Sequence, residues 1–306
     1  MSLVDNPASK ALDSTNDAIP LRGNAAVRGW EHLRTWPPSL RIGVGMLVII
    51  VAVLVATPWV APYDPAAQVL TDRLQGPGSA HLLGTDQLGR DVLSRLMVGA
   101  QMTLFVGIIA VAISALVGIP LGIAAGMRRG TFLDSLVMRT ADLLLAFPAL
   151  LLAIIAGAVW GPSTLTAMIA IGVAGIPSFA RVARSGTLQV MSQDFIAAAR
   201  VSKVSELGIA LRHVFPNISG LAIVQASVYF ALAILAEAAL SYLGLGTAPP
   251  AASWGRMLQD AQSLLTVQPS LTLWPGLAIA LTVLGFNLLG DALRDVLDPR
   301  HHTTRN

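Results

Sequence analysis

Glu237 is the residue of this chain whose chemistry its neighbours explain least. It lies late in an apolar run with no basic residue within a helical turn on either side. A carboxylate in such a run must face water or the interior of a bundle, or hold a proton, because a bare charge in hydrocarbon is costly. Glu237 is therefore a candidate wall of a cavity or gate. Asp142, Asn287 and Asp291 also mark apolar runs. Arg139 precedes Asp142 by three residues and Arg294 follows Asp291 by three, the helical spacing at which opposite charges meet.

Catalytic chemistry finds little support. With no cysteine there is no disulfide, thiolate metal site or cysteine nucleophile. The five histidines, His32, His81, His213, His301 and His302, include no pair spaced to put two imidazoles on one helical face. Only Lys10 and Lys203 are lysines, and Ala11 and Val204 follow them, so a GxxxxGK[ST] nucleotide loop is ruled out. A GxSxG nucleophile elbow is also missing. No catalytic residue and no metal ligand is assigned.

The elements that carry these residues are membrane spans. Hydrophobic residues make up 54% of the 306 and charged residues 12%, against roughly 25% charged in soluble domains. Six apolar stretches approach the about 20 residues a bilayer core requires: Ile42–Ala61, Thr103–Ala125, Leu143–Val159, Leu165–Ala180, Leu221–Leu240 and Leu273–Leu289. Their continuity predicts helices, since barrel strands would alternate. Gly118, Pro120, Gly122, Pro148, Gly175, Pro177, Pro275 and Gly276 interrupt them. Such breaks suit either a cavity wall or close helix packing through small residues.

With six spans both termini share a side. Of the 20 basic residues, Arg73, Arg90, Arg95 and Arg256 fall opposite and 16 on the terminal side, which predicts cytoplasmic termini. Trp36, Trp59, Tyr63, Trp160, Tyr242 and Trp274 lie near span ends, as an aromatic belt requires. The net charge of +3 thus reflects topology, and no basic patch with interleaved aromatics points to nucleic acid. Residues 1–37 read as a polar cytoplasmic tail without the pattern of a signal peptide, 38–300 as the membrane domain, and 301–306 as a cytoplasmic tail.

One polar insert, 192–217, separates two spans. Phe195, Ala198 and Ala199 share a small apolar face, and Leu207, Ala210, Leu211 and Val214 follow at i, i+3, i+4 and i+7. Two short helices are expected, with a turn at 202–205, Ser205 capping the second and Pro216 stopping it. Periodicity alone would also suit a helix lying on a lipid surface. On the opposite side, 62–100 and 242–271 are too long for simple turns. The second suits a plug packed on the bundle or a contact for a soluble protein.

The insert resembles the cytoplasmic EAA loop of permease subunits of ABC importers. Ala198 and Ala199 match its alanines, Arg200 the arginine usual in the peptide branch, and Pro216 its closing proline; Ala197 stands where the family has Glu, and Lys203 where it has Gly. The blocks APYDP (61–65), GTDQLGRDVLSRL (84–96), LLLAFPALLLA (143–153), LAEAALSYLGLG (235–246), SWGRML (253–258), WPGLAI (274–279) and TVLGFNLLGDALRDVLDPR (282–300) resemble, in order, the C-type permease of dipeptide, oligopeptide and nickel importers.

The resemblance implies an all-α membrane protein of six transmembrane helices with the type I ABC importer permease (MetI-like) fold, in a bacterial plasma (inner) membrane. It implies a second homologous permease, one or two ABC ATPase subunits that bind ATP and Mg, and an extracytoplasmic substrate-binding protein, whose contact is the reading it favours for 242–271 over a plug. Cofactors in this chain itself are not expected. Ala198, Ala199, Arg200, Lys203, Leu207, Leu211, Val214 and Pro216 would then dock to the ATPase, the apolar stripe entering its cleft. Peptides are the expected cargo, with nickel or another small solute as the alternative. A gradient-driven transporter would want paired midplane charges and repeated broken helices, and no convincing internal repeat is present.

Overall fold

The computed structural model describes residues 38–297. The tails expected at 1–37 and 301–306, with Trp36 and His301–His302, lie outside the described residues.

Helix α1 (Pro38–Val60) begins on a proline, whose missing N–H costs nothing in a first turn. Helix α2 (Val92–Met127) starts well before the apolar run at Thr103, because Asp91 caps it: its carboxylate accepts from the Ser94 backbone N–H and hydroxyl, each at 2.8 Å. Helices α3 (Phe132–Leu145) and α4 (Ala149–Trp160) follow, then α5 (Thr164–Met191), capped by Ser163. The insert supplies α6 (Asp194–Val201) and α7 (Glu206–Ile209), and a π turn, Ala210–Val214, leads into α8 (Phe215–Tyr242). A short α9 (Trp254–Ala261) precedes α10 (Ser270–Leu297). Among the described residues the one β pairing is an isolated Thr85–Asp91 bridge.

Five of these helices are long and apolar enough to cross a membrane, and a sixth span exists only if α3 and α4 are counted together. The expected continuous span Leu143–Val159 is therefore corrected: the chain bends by 84° between α3 and α4. Pro148 explains the bend, since it has no N–H to continue α3 and it biases Phe147 away from helical backbone.

Helices α2 and α5 form the centre of the bundle, with α8 packed on both, and α10 lies between α8 and α1. The central pair is close because of glycine. A Cβ on Gly118 would lie 2.7 Å from that of Phe179, and one on Gly122 or Gly126 2.7 Å from the Cβ of Ala183 or Thr187. On α5, a Cβ on Gly172 would meet Ile113 at 2.8 Å. Gly118 and Gly122 thus serve close helix packing, the second of the two roles open to them from sequence, and Gly126 and Gly172 do the same.

Three buried clusters fill the bundle. Val92, Leu104, Phe230, Ile234, Trp254 and Met257 lie toward one end, hereafter the cap end, where residues 61–91 fold over α2 and α9. Val106, Ala153, Met168, Ile171 and Leu240 form a second cluster where α2, α4, α5 and α8 meet. At the insert end, Ile123 and Ala183 of the central pair pack with Ile196, Ala199, Ile209, Val214 and Ile218.

Candidate functional site

The insert is fastened to the bundle by one face and presents the other. Helix α6 buries Ile196 and Ala199 while Phe195, Ala198 and Arg200 stay exposed, so Ala199 does not share the face of Phe195 and Ala198 and leaves the docking set expected from sequence. It closes at a residue in left-handed backbone, Lys203 at φ +58°. The Lys203 N–H donates to the Arg200 carbonyl at 2.9 Å and the Val204 N–H to the Ala199 carbonyl at 3.1 Å, the bond pair of a Schellman motif. Lys203 thus occupies the position at which the family's glycine costs least, and Val204 packs against the insert-end core. Across the turn, Arg200 and Glu206 approach to 3.7 Å, both half-exposed.

The second half of the insert departs from expectation twice. Ser205 caps α7 as expected, its hydroxyl accepting from Gly208 N–H at 3.1 Å. The chain does not stop before Pro216, however. It widens into the π turn, in which the Phe215 N–H reaches the Ala210 carbonyl, and continues as α8 with Pro216 in its first turn. A turn of five residues makes room for a ring that would clash with an α-helical carbonyl four residues back. The same geometry corrects the docking stripe: Val214 is 0% exposed and belongs to the core, while Leu207 and Leu211 are 69% and 60% exposed. With Leu116, Ile123, Met127 and Phe215 they line a groove of about 630 Å³. Val201, 84% exposed, and Phe195 extend the exposed apolar surface of the insert.

Glu237 also moves from its expected place. It is 1% exposed and borders none of the three large apolar grooves, those of about 630, 680 and 220 Å³. Ser241 donates its hydroxyl to Oε1 at 2.7 Å and Thr103 donates to Oε2 at 3.3 Å. Those hydroxyls in turn accept from the Thr247 N–H at 3.0 Å and the Trp254 N–H at 3.2 Å. The carboxylate therefore ties α2, α8 and the start of α9 together inside the subunit, rather than standing on the wall of a path.

Sequence reasoning missed a charge cluster at the cap end. Arg90 donates to Asp86 at 2.6 Å and to Asp260 at 3.0 Å; Arg95 lies 3.6 Å from each carboxylate; Arg256 reaches Asp260 at 2.9 Å. Arg95 also donates to the Pro65 carbonyl at 3.2 Å, and His81 meets Asp91 at 2.9 Å. Two carboxylates thus hold three guanidiniums, joining the 61–91 segment to α2 and α9. The conspicuous blocks GTDQLGRDVLSRL and SWGRML supply every one of these residues except Asp260. That they meet was the missing information. Helix α9 packs on the bundle through Trp254 and Met257, as the plug reading of 242–271 requires.

Two further ion pairs join α3 to α5. Asp134 is buried, accepting from Arg184 Nε at 2.6 Å, Nη2 at 2.9 Å and the Gly130 N–H at 3.0 Å. Asp142, expected to pair with Arg139 along its own helix, instead accepts from Arg181 of α5, and both side chains are open.

An all-helical bundle of membrane length, with an amphipathic insert anchored at one end, is the architecture of a membrane permease subunit. Residues 118–302 match the family described as binding-protein-dependent transport system inner membrane component, and the chain belongs to that family. A protein of Brucella suis biovar 1 (strain 1330), named provisionally as a peptide transport system permease, is 44% identical over 262 residues, which is 86% of this chain and 88% of that protein. The glutathione transport system permease protein GsiD of Escherichia coli O6:K15:H31 (strain 536 / UPEC) is 42% identical over 272 residues, 89% of each chain. A solved chain of the MetNI methionine ABC transporter, in inward-facing conformations, superposes with a TM-score of 0.56 at 15% identity, covering 67% of this chain and 97% of that one. That likeness supports the MetI-like fold expected from sequence.

Proposed function

We propose that this chain is one of two homologous permease subunits that enclose the path of an ATP-driven peptide importer in a bacterial plasma membrane. ATPase subunits bind ATP and Mg beneath it, a substrate-binding protein delivers cargo from outside, and both termini lie in the cytoplasm. The observation that carries the reading is the insert, exposed through Phe195, Val201, Leu207 and Leu211 yet rooted in the core through Ile196, Ile209 and Val214. A partner that grips the exposed face pulls on Ile123 of α2 and Ala183 of α5 through that core. ATP-driven movement at one end is thereby passed to the central helix pair. Peptide cargo is supported by the names of the Brucella and Escherichia relatives, glutathione itself being a peptide. Cytoplasmic termini are supported by the bias in basic residues, three of the four opposing arginines being held in the cap-end cluster.

The test is reconstitution of the whole complex in proteoliposomes with its binding protein. Labelled dipeptide should accumulate only with ATP and with all subunits present. Uptake driven by an ion gradient without ATP would overturn the reading.

A further inference from the structure

Helix α5 carries two arginines one turn apart whose surroundings are opposite. Arg184 is clamped to buried Asp134. Arg181 pairs with Asp142 in the open, the two side chains being 50% and 63% exposed. Both open residues lie about three helical turns, roughly 15 Å, inside the ends of their helices, at Met191 and Phe132. Arg181 does not stand alone: Ser185 and Gln189 follow at four-residue intervals and are exposed on the same face. Much of the exposed surface of the spans is apolar, as with Ile49 and Val55 on α1, Ile108 and Leu116 on α2, and Ile223 and Leu232 on α8, with exposed polar residues on α10 at Asn287, Asp291 and Arg294. A charged pair continued by a polar stripe, at the insert-side margin of the apolar runs Leu143–Val159 and Leu165–Ala180, calls for water rather than hydrocarbon.

We infer that the Asp142–Arg181 pair and the Ser185–Gln189 stripe form the water-facing wall of the inner half of the translocation path and contact the charged termini of a peptide in transit. This rests on the peptide-import reading for its ligand, but not for its exposure to water. A peptide carries an ammonium and a carboxylate, and the pair presents a carboxylate and a guanidinium side by side. With the path empty the two groups satisfy each other, so no unpaired charge waits in it. When a peptide passes, each can exchange its partner for a peptide terminus and return. Such a contact is weak by construction, as a path requires, since a site that held its cargo would stop transport.

Because the chain lacks cysteine, the wall can be tested directly. Ser185→Cys in the assembled complex, in inside-out vesicles, should react with a membrane-impermeant maleimide, read on this chain by mass. Failure to react both without nucleotide and with a trapped ATP analogue places the stripe against protein or lipid and overturns the inference. The ligand is tested by uptake of dialanine and of its C-terminal amide, presented by saturating binding protein. Arg181→Gln should lower the dialanine to dialanine-amide rate ratio by about fivefold, because only dialanine offers the guanidinium a terminal carboxylate, and Asp142→Asn should not lower it. Equal losses for both peptides in Arg181→Gln would assign the pair a structural role and overturn the contact with cargo. If the wild-type complex carries neither peptide, the peptide reading fails, and the labelling result still decides whether this face meets water.

Discussion

The two ends of the subunit solve the same problem with different materials. At the cap end, segments far apart in sequence are joined by buried charges, Arg90, Arg95 and Arg256 on Asp86 and Asp260. At the insert end the join is apolar, Ile209, Val214 and Ile218 against Ile196, Ile123 and Ala183, and the charged residues Arg200 and Glu206 are left outside. A buried ionic join is sensitive to the loss of any member, because each removal strands a charge. An apolar join tolerates small movements and gives its outer face to a partner. The difference teaches that one end is built to hold its geometry, while the other suits the force transmission proposed for it.

The largest expected effect is at the cap end. Asp260→Ala leaves Arg90 and Arg95 on the single carboxylate of Asp86 and takes from Arg256 its carboxylate partner, and should cost about 3–5 kcal/mol of stability. Thermal unfolding of the purified subunit in detergent checks this; a stability equal to that of the parent would remove the cluster from the account of this end. Next in size is Leu211→Asp. Its side chain is exposed in the subunit, so the chain should stay folded, while association with the ATPase should weaken by about 2 kcal/mol or more. Co-purification and peptide-stimulated ATP hydrolysis report it, and an unchanged complex would mean that the exposed face of the insert is not the gripped one. The smallest effect concerns Lys203. In left-handed backbone, Lys203→Gly should be neutral or stabilise by up to about 1 kcal/mol, whereas Lys203→Val should cost about 1–2 kcal/mol. ATP-driven uptake should follow the same order, and equal tolerance of Val and Gly would contradict a transmitting turn at this residue.

Much of the fold was legible because the signals are local. The apolar run lengths located the long helices, Ser205 marked a cap, and the gap between Ala199 and Leu207 left room for the turn at Lys203. Pro148 was visible too, but a span-length average of hydropathy passes over a bend that one residue imposes. The rest depends on which helices meet, and periodicity carries no such information. Asp142 had a suitable arginine three residues away and another 39 residues on, and the structure chose the distant one. Val214 falls on the same periodic stripe as Leu211, yet the π turn rotates it inward, and a π turn changes the period on which the stripe was counted. Glu237 stood out as unusual, and Ser241 lies one helical turn from it; Thr103, and the Trp254 N–H that donates to Thr103, lie too far along the chain to be linked with it from sequence.

The cap-end cluster also sets an order of events during synthesis. Arg90 and Asp260 are separated by 170 residues, so at ordinary elongation rates the second follows the first by roughly 8–34 s. Through that interval the head of α2 exists with Arg90 and Arg95 sharing Asp86 alone, and the last carboxylate arrives only when α8 has been threaded and α9 has been delivered to the same side as the cap. The cluster therefore closes as a late latch, one that a chain with a misinserted α8 would be unable to fasten.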